Sequence, residues 1–178
     1  MIVTPRWPLL ARLADPAHRR RIARFCFVTA ALLLPAGYAA GRYRLAIDPQ
    51  TIRCLPEVRA VLIDRATPAD AIGDLVVFAA KGLAPAWPDG TLLVKRLAAR
   101  EGDLVEISPM GVRINGQPAA HGMALARKLG HTPEAFARSY RLPKGQFLAL
   151  GSHELSLDGR YYGPLPTAQI RGSARVLF

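Results

Sequence analysis

The sequence predicts a mainly β domain behind one N-terminal transmembrane helix, with a short helical insertion among the later strands. Three observations predict it. Seventeen consecutive residues, Phe25 to Gly41, carry no charge and follow a basic head. Beyond residue 45, short apolar runs alternate with Gly, Pro and Asn-Gly turn chemistry. The length of 178 residues leaves room for one globular domain and an appendage.

Residues 1–24 hold six arginines (Arg6, Arg12, Arg19, Arg20, Arg21, Arg24) against the single acid Asp15. As a helix, the uncharged run behind them spans about 25 Å, at the short end for a hydrocarbon core of roughly 30 Å. Arg24, Arg42 and Arg44 extend its reach by snorkelling to the headgroups. The positive-inside rule then keeps residues 1–24 in the cytoplasm as a basic segment and makes 25–44 a signal anchor. It sends 45–178 across the membrane, into the periplasm or its equivalent. A buried core helix and a cleaved signal peptide are the competing readings, the second because Gly37-Tyr38-Ala39 offers a small-x-small site. A basic head of 24 residues is long for a signal peptide, which favours the anchor. Arg19-Arg20-Arg21 lacks the pattern that surrounds a twin-arginine address.

Lys and Arg number 24 against 13 Asp and Glu, a net charge of +11. On a soluble domain such an excess suggests nucleic acid. Here residues 1–24 account for +5, and no recognition helix or aromatic-basic interleaving accompanies the rest. We therefore expect no nucleic-acid partner, and expect the flanking arginines to meet anionic lipids of the inner membrane. Cys26 lies inside the apolar run and Cys54 beyond it, so a bridge between them is geometrically unfavourable and Cys54 is a lone thiol in an oxidising compartment. No Cys/His spacing suits a metal and no glycine-rich loop suits a nucleotide, so no cofactor is expected.

Past residue 45 the elements read in order. Val58–Ile63 and Leu75–Phe78 are short, mainly apolar runs, the second entered through Gly73-Asp74. Pro88-Asp89-Gly90 makes a turn before a strand over Thr91–Leu97. Asp103–Ser108 and Val112–Ile114 form a hairpin around Pro109-Met110-Gly111, and Asn115-Gly116 gives another tight turn. His121–Tyr140 differs, with larger apolar residues at Met123, Leu125, Leu129, Phe136 and Tyr140. It reads as one or two short helices in an insertion over about 117–144. Phe147–Leu150 and Ala174–Phe178 return to strand character.

Period-two alternation in Thr91–Leu97 puts Lys95 on one face with Leu93 and Leu97. A lysine desolvated by such neighbours is a usable general base and pairs naturally with a hydroxyl or thiol nucleophile. Spacing alone does not single it out, because most strand lysines are solvated or ion-paired. Arg96 takes the opposite face with Leu92 and Val94.

Three ordered segments carry a resemblance. They are Gly73-Asp74-Leu75-Val76-Val77-Phe78, then Val94-Lys95-Arg96-Leu97 with Glu101-Gly102-Asp103, then Gly151 to Pro164 followed by Ile170-Arg171-Gly172. In this order, behind an N-terminal anchor, they resemble the boxes of type I signal peptidases over roughly residues 20–178, the insertion excepted. Cys54-Leu55-Pro56 resembles the Ser-x-Pro nucleophile box of the family's conjugative-transfer (TraF-type) branch, with Cys in place of Ser. On the Ser-x-x-Pro spacing of housekeeping signal peptidases Arg53 would stand at the nucleophile, which is chemically useless. The Cys54 register is the productive one.

The resemblance implies a signal-peptidase-like coiled β-sheet domain with a Cys54/Lys95 dyad. A thiol yields its proton to an amine more readily than a hydroxyl does, so the exchange is chemically sensible. Ser156 matches the family serine that orients the lysine amine. Asp158 matches an aspartate near the dyad in the conjugative branch, with Arg160 as its partner. The oxyanion would be held by the Cys54 N–H and one further donor. The family's side-chain hydroxyl two residues before the nucleophile is absent, since Ile52 stands there, and Thr51 is out of register. The implied activity is endoproteolysis of an exported precursor, such as a conjugative pilin, beside the conjugative transfer machinery. Two alternatives stay open: a transpeptidase that cyclises the pilin, and a non-catalytic periplasmic scaffold of a conjugative type IV secretion apparatus, for which the altered nucleophile argues.

Overall fold

The computed structural model describes residues 16–51, 53–69 and 71–178. Arg6, Arg12, Asp15 and Ile52 lie outside them. The chain divides after Arg42 into two compact units. In the first, helix α1 runs Pro16–Arg42, 27 residues or about 40 Å. It is long and apolar enough to cross a membrane, and none of its residues is buried. Arg42 in its last turn complements the helix dipole and donates to the Tyr38 hydroxyl at 2.9 Å. The helix takes in Arg19 to Arg24 of the basic head and stops at Arg42. Arg44, expected in the anchor, stands in a strand.

The second unit, Tyr43–Phe178, is mainly β. Strands β1 (Tyr43–Ile47), β2 (Ala60–Asp64), β3 (Leu75–Ala79), β4 (Leu92–Arg100), β5 (Leu104–Ser108), β6 (Gly111–Ile114), β7 (Gln117–His121), β8 (Arg138–Arg141), β9 (Gln146–Leu150), β10 (Leu165–Pro166) and β11 (Ile170–Val176) follow in chain order. They build a seven-stranded antiparallel sheet, β1-β2-β11-β3-β4-β9-β10, and a four-stranded one, β7-β6-β5-β8. β3 is buried throughout because the large sheet is covered on both faces. Leu75 and Val77 pack with Leu55, Val58, Ile63 and Ala174 on one face. Val76 and Phe78 pack with Leu97, Phe147 and Leu165 on the other. A third cluster joins Val105, Ile107 and Val112 of the small sheet to Ala99, Leu148 and Tyr161.

Local turn chemistry matches its sequence signal. Pro109-Met110 closes β5 onto β6, with Ser108 opposite Gly111. Asn115 and Gly116 both take positive φ, 50° and 78°, as a primed hairpin turn between β6 and β7 requires. The 117–144 insertion is less helical than its apolar residues suggest. It holds two 3-10 turns, Arg127–Leu129 and Pro133–Phe136, and its ends are the strands β7 and β8. Each end finds a partner in the preceding hairpin, β7 on β6 and β8 on β5, and that pairing outweighs local composition. β1 had no local signal either, since its pairing with β2 is set from across the loop that carries Cys54.

Candidate active site

Lys95 sits within β4, opposite Val76 of β3. The alternation read from the sequence holds: Lys95, Leu97 and Ala99 are buried, while Arg96 turns outward and pairs with Glu57. Lys95 is 2% exposed, and its amine donates to Ser156 Oγ at 2.9 Å. No carboxylate pairs with it among the described residues. An amine so placed has exchanged its hydration for a single hydroxyl partner.

Ser156 and Asp158 lie on the loop after β9, and both are fully buried. The Asp158 carboxylate accepts from Gly151 N at 2.9 Å and Arg160 N at 3.0 Å. It also accepts from Arg160 Nε at 2.9 Å and Nη2 at 2.7 Å. Asp158 thereby caps the single-turn helix α2 (Gly159–Tyr162) and neutralises a buried guanidinium. Burial works against the charge on Arg160, but the Asp158 carboxylate outweighs it and holds the guanidinium pKa above its ordinary value. Arg160 also donates to the carbonyls of His153 and His121, each at 2.7 Å. Every hydrogen bond that the carboxylate receives among the described residues comes from Gly151 N and Arg160, a latch across the loop that carries Ser156.

Cys54 lies in the loop between β1 and β2, half-buried. Leu55 and Val58 anchor that loop in the core, with Val58 N donating to Leu55 O at 3.0 Å. His153 N donates to Cys54 O at 3.1 Å, so the loop after β9 clasps the cysteine loop. Gly151 is the point of closest approach: a Cβ there would stand 2.2 Å from Ser156 Oγ and 2.8 Å from Cys54 O. A cavity of about 270 Å³ opens on both candidate groups, lined by Cys54 and Lys95 with Leu55, Val58, Trp87 and Leu93. The Cys54 N–H donates to no described residue. The structure thus brings Cys54 and Lys95 to one cavity, and places Ser156 on the amine and Asp158 on Arg160 and Gly151.

Two contributors escaped the sequence. The insertion braces the Ser156 loop: Arg138 of β8 donates to the carbonyls of Gly159, Arg160 and Tyr161 at 3.3–3.4 Å. Leu125 N donates to the Tyr161 hydroxyl at 3.0 Å, and Phe136 packs edge-on against Tyr161 with centroids 5.1 Å apart. The larger apolar residues of that segment were the one signal of this packing. The second contributor is Tyr162, whose hydroxyl is buried without a hydrogen-bond partner among the described residues. Burial first, then the nearby Asp158 and Cys54, push its ionisation well above the ordinary value. The raised folded value leaves stability intact below the unfolded value, near pH 10, and removes it as pH rises from there. Tyr162→Phe is expected to gain about 1 kcal/mol at neutral pH by removing the orphaned hydroxyl. It should also flatten the loss of thermal stability above pH 10, in melting curves compared with wild type across that range.

A family model described as signal peptidase, peptidase S26, matches residues 54–178, from Cys54 through the Lys95, Ser156 and Asp158 positions. Two curated relatives, both a plasmid transfer protein TraF of Escherichia coli, are 36% identical over 81 residues and 33% identical over 82. Each match covers 44% of this chain and 46% of the relative, so the chain spans about half the length of the curated relatives it matches. A solved signal peptidase I from Enterococcus faecalis V583 is 22% identical, with a TM-score of 0.39 over 63% of this chain and 99% of that one.

Proposed function

This chain belongs to the signal peptidase family, peptidase S26, and on that premise we propose that it is a membrane-anchored peptidase that cuts an exported precursor with a Cys54/Lys95 dyad. The observation that carries this reading is the buried Lys95 amine, held by Ser156 without a counter-ion among the described residues and lining the same cavity as Cys54. Cys54 Sγ attacks the scissile carbonyl carbon while its proton passes to Lys95 Nζ. The Cys54 N–H stabilises the oxyanion that forms. The adduct collapses to a thioester as Lys95 returns the proton to the departing amine. Water then attacks the thioester, Lys95 takes its proton, and the carboxylate product leaves as the thiol is restored. The apolar walls of the cavity suit small side chains of an extended segment.

Similarity to plasmid transfer proteins supports a substrate among the exported proteins of conjugation, a pilin precursor foremost. Helix α1 and the family relationship support an inner-membrane anchor with the catalytic unit in the periplasm. The test is made in cells carrying the cognate transfer system, by measuring precursor and mature pilin masses. Cys54→Ala and Lys95→Ala are expected to accumulate precursor, and Cys54→Ser to process slowly. Normal processing by both alanine variants overturns the dyad and leaves a scaffold. A mature product one water lighter than the hydrolysed one shows that the substrate's own amine resolves the same thioester.

A further inference from the structure

The β unit carries a second groove, of about 590 Å³, where Arg44, Arg65 and Arg171 stand over Ile63, Val77 and Leu92. We propose that this groove binds the phosphate of an anionic phospholipid headgroup and thereby seats the catalytic unit at the membrane surface. The inference rests on reading α1 as an anchor.

Charge is the first argument. No carboxylate among the described residues lines the groove. Neither Arg44 nor Arg65 has an ion-pair partner among the described residues. Arg171 donates to the carbonyls of Ala168 and Ile170, at 2.8 and 3.0 Å, and has no ion-pair partner among the described residues. Like charges gathered without an acid repel one another, and a bound phosphate relieves that repulsion while accepting their N–H groups.

Backbone construction is the second. β11 bulges between Ile170 and Gly172, and a bulge re-aims the side chain of the residue inside it, here Arg171. Gly172 permits the bulge: its φ is +148°, and a Cβ there would stand 2.2 Å from Asp64 O.

Position along the chain is the third. Arg44 is two residues beyond the end of α1, within about 7 Å of it along an extended backbone, which is headgroup depth for a spanning helix. On β1, Tyr43, Leu45 and Ile47 alternate with Arg44 and are 38%, 58% and 65% exposed. That alternation offers apolar side chains to the acyl boundary and the arginine to the groove. This closeness to the helix end favours a lipid over an acidic protein segment. Leu92 lines both the groove and the catalytic cavity. A headgroup held there would keep the cleft at the interface where a membrane-tethered precursor presents its cleavage site.

The test reconstitutes the full chain in nanodiscs of phosphatidylcholine with a minority of phosphatidylglycerol, then counts the lipids retained in mild detergent by native mass spectrometry. Wild type is expected to retain phosphatidylglycerol about tenfold over its share. The triple variant Arg44→Gln, Arg65→Gln, Arg171→Gln should lose the preference. Arg113→Gln with Arg127→Gln and Arg141→Gln, the same charge change on the small sheet and the insertion beside it, should keep it. Melting curves establish that each variant is folded, and the exposed pair Arg44→Gln, Arg65→Gln serves if the triple is not. Equal retention in the groove variant, or equal loss in the control, overturns the proposal. Displacement of the lipid by millimolar inorganic phosphate or by an acidic peptide reassigns the groove and overturns it as well. Escape of wild type from neutral discs would sink the anchor reading instead, whereas loss of lipid preference with the chain still inserted concerns the groove alone.

Discussion

Replacing Lys95 with methionine is expected to abolish cleavage while making the protein harder to unfold. The two side chains have similar length, and Lys95 is 2% exposed with Ser156 Oγ as its hydrogen-bond partner and no counter-ion among the described residues. Keeping an amine there costs desolvation that one hydroxyl offsets in part. An apolar thioether fills the same buried position without that cost, so the denaturant midpoint should rise by the equivalent of about 1 kcal/mol. The reaction loses the base assigned to it. Removing a general base costs about 10²–10⁴-fold in rate, and here the nucleophile also loses its proton acceptor, so the upper end is expected. Precursor cleavage rates and urea unfolding of the same preparations check both halves. A variant that is less stable and still active would make Lys95 a structural residue. Cys54→Ala should also be inactive, but with stability within about 0.5 kcal/mol of wild type, because the half-buried thiol carries little packing.

Asp158→Ala is expected to destabilise the β unit severely. It leaves the Arg160 guanidinium, 0% exposed, without its carboxylate partner. Breaking one side of a buried pair costs about 3–5 kcal/mol, a large share of the roughly 5–15 kcal/mol that holds a domain together. The loss is distributed, since the latch fixes Gly151 N, the start of α2 and the carbonyls of His121 and His153 together. Adding Arg160→Met to Asp158→Ala should recover part of the stability, because the uncompensated charge goes with it. A urea double-mutant cycle reads this directly. Should Asp158→Asn unfold like wild type and lose only turnover, the aspartate acts on the reacting groups and the latch is secondary. Asp158 would then be catalytic, as its match to the aspartate near the dyad of the conjugative branch implies.

Much of the site was legible along the chain. A charge-free run behind six arginines marks a helix that can span a bilayer, because hydrocarbon excludes charge over a length the sequence can be counted for. Strand alternation put Lys95 among leucines, and the burial pattern of β4 agrees. The order of the boxes pointed to Ser156 as the partner of the amine, and the hydrogen bond is present. Asp158 and Arg160 were expected as a pair, but two residues of separation say nothing about depth. Their complete burial follows from the strands and the insertion packed around them.

Charge placement, turn positions and the lysine face were therefore determined by the sequence itself, since each depends on residues a few places apart whose geometry the backbone sets. The tertiary structure decided where β11 enters the sheet, between β2 and β3, and that β1 pairs with β2 across the loop that carries Cys54. It turned the ends of the insertion into strands that brace the Ser156 loop. It also brought Cys54 and Lys95 to one cavity and gathered three arginines in another. Each of these joins residues distant in the chain, and what selects the partners is the burial of both faces of the large sheet, a property that no local window contains.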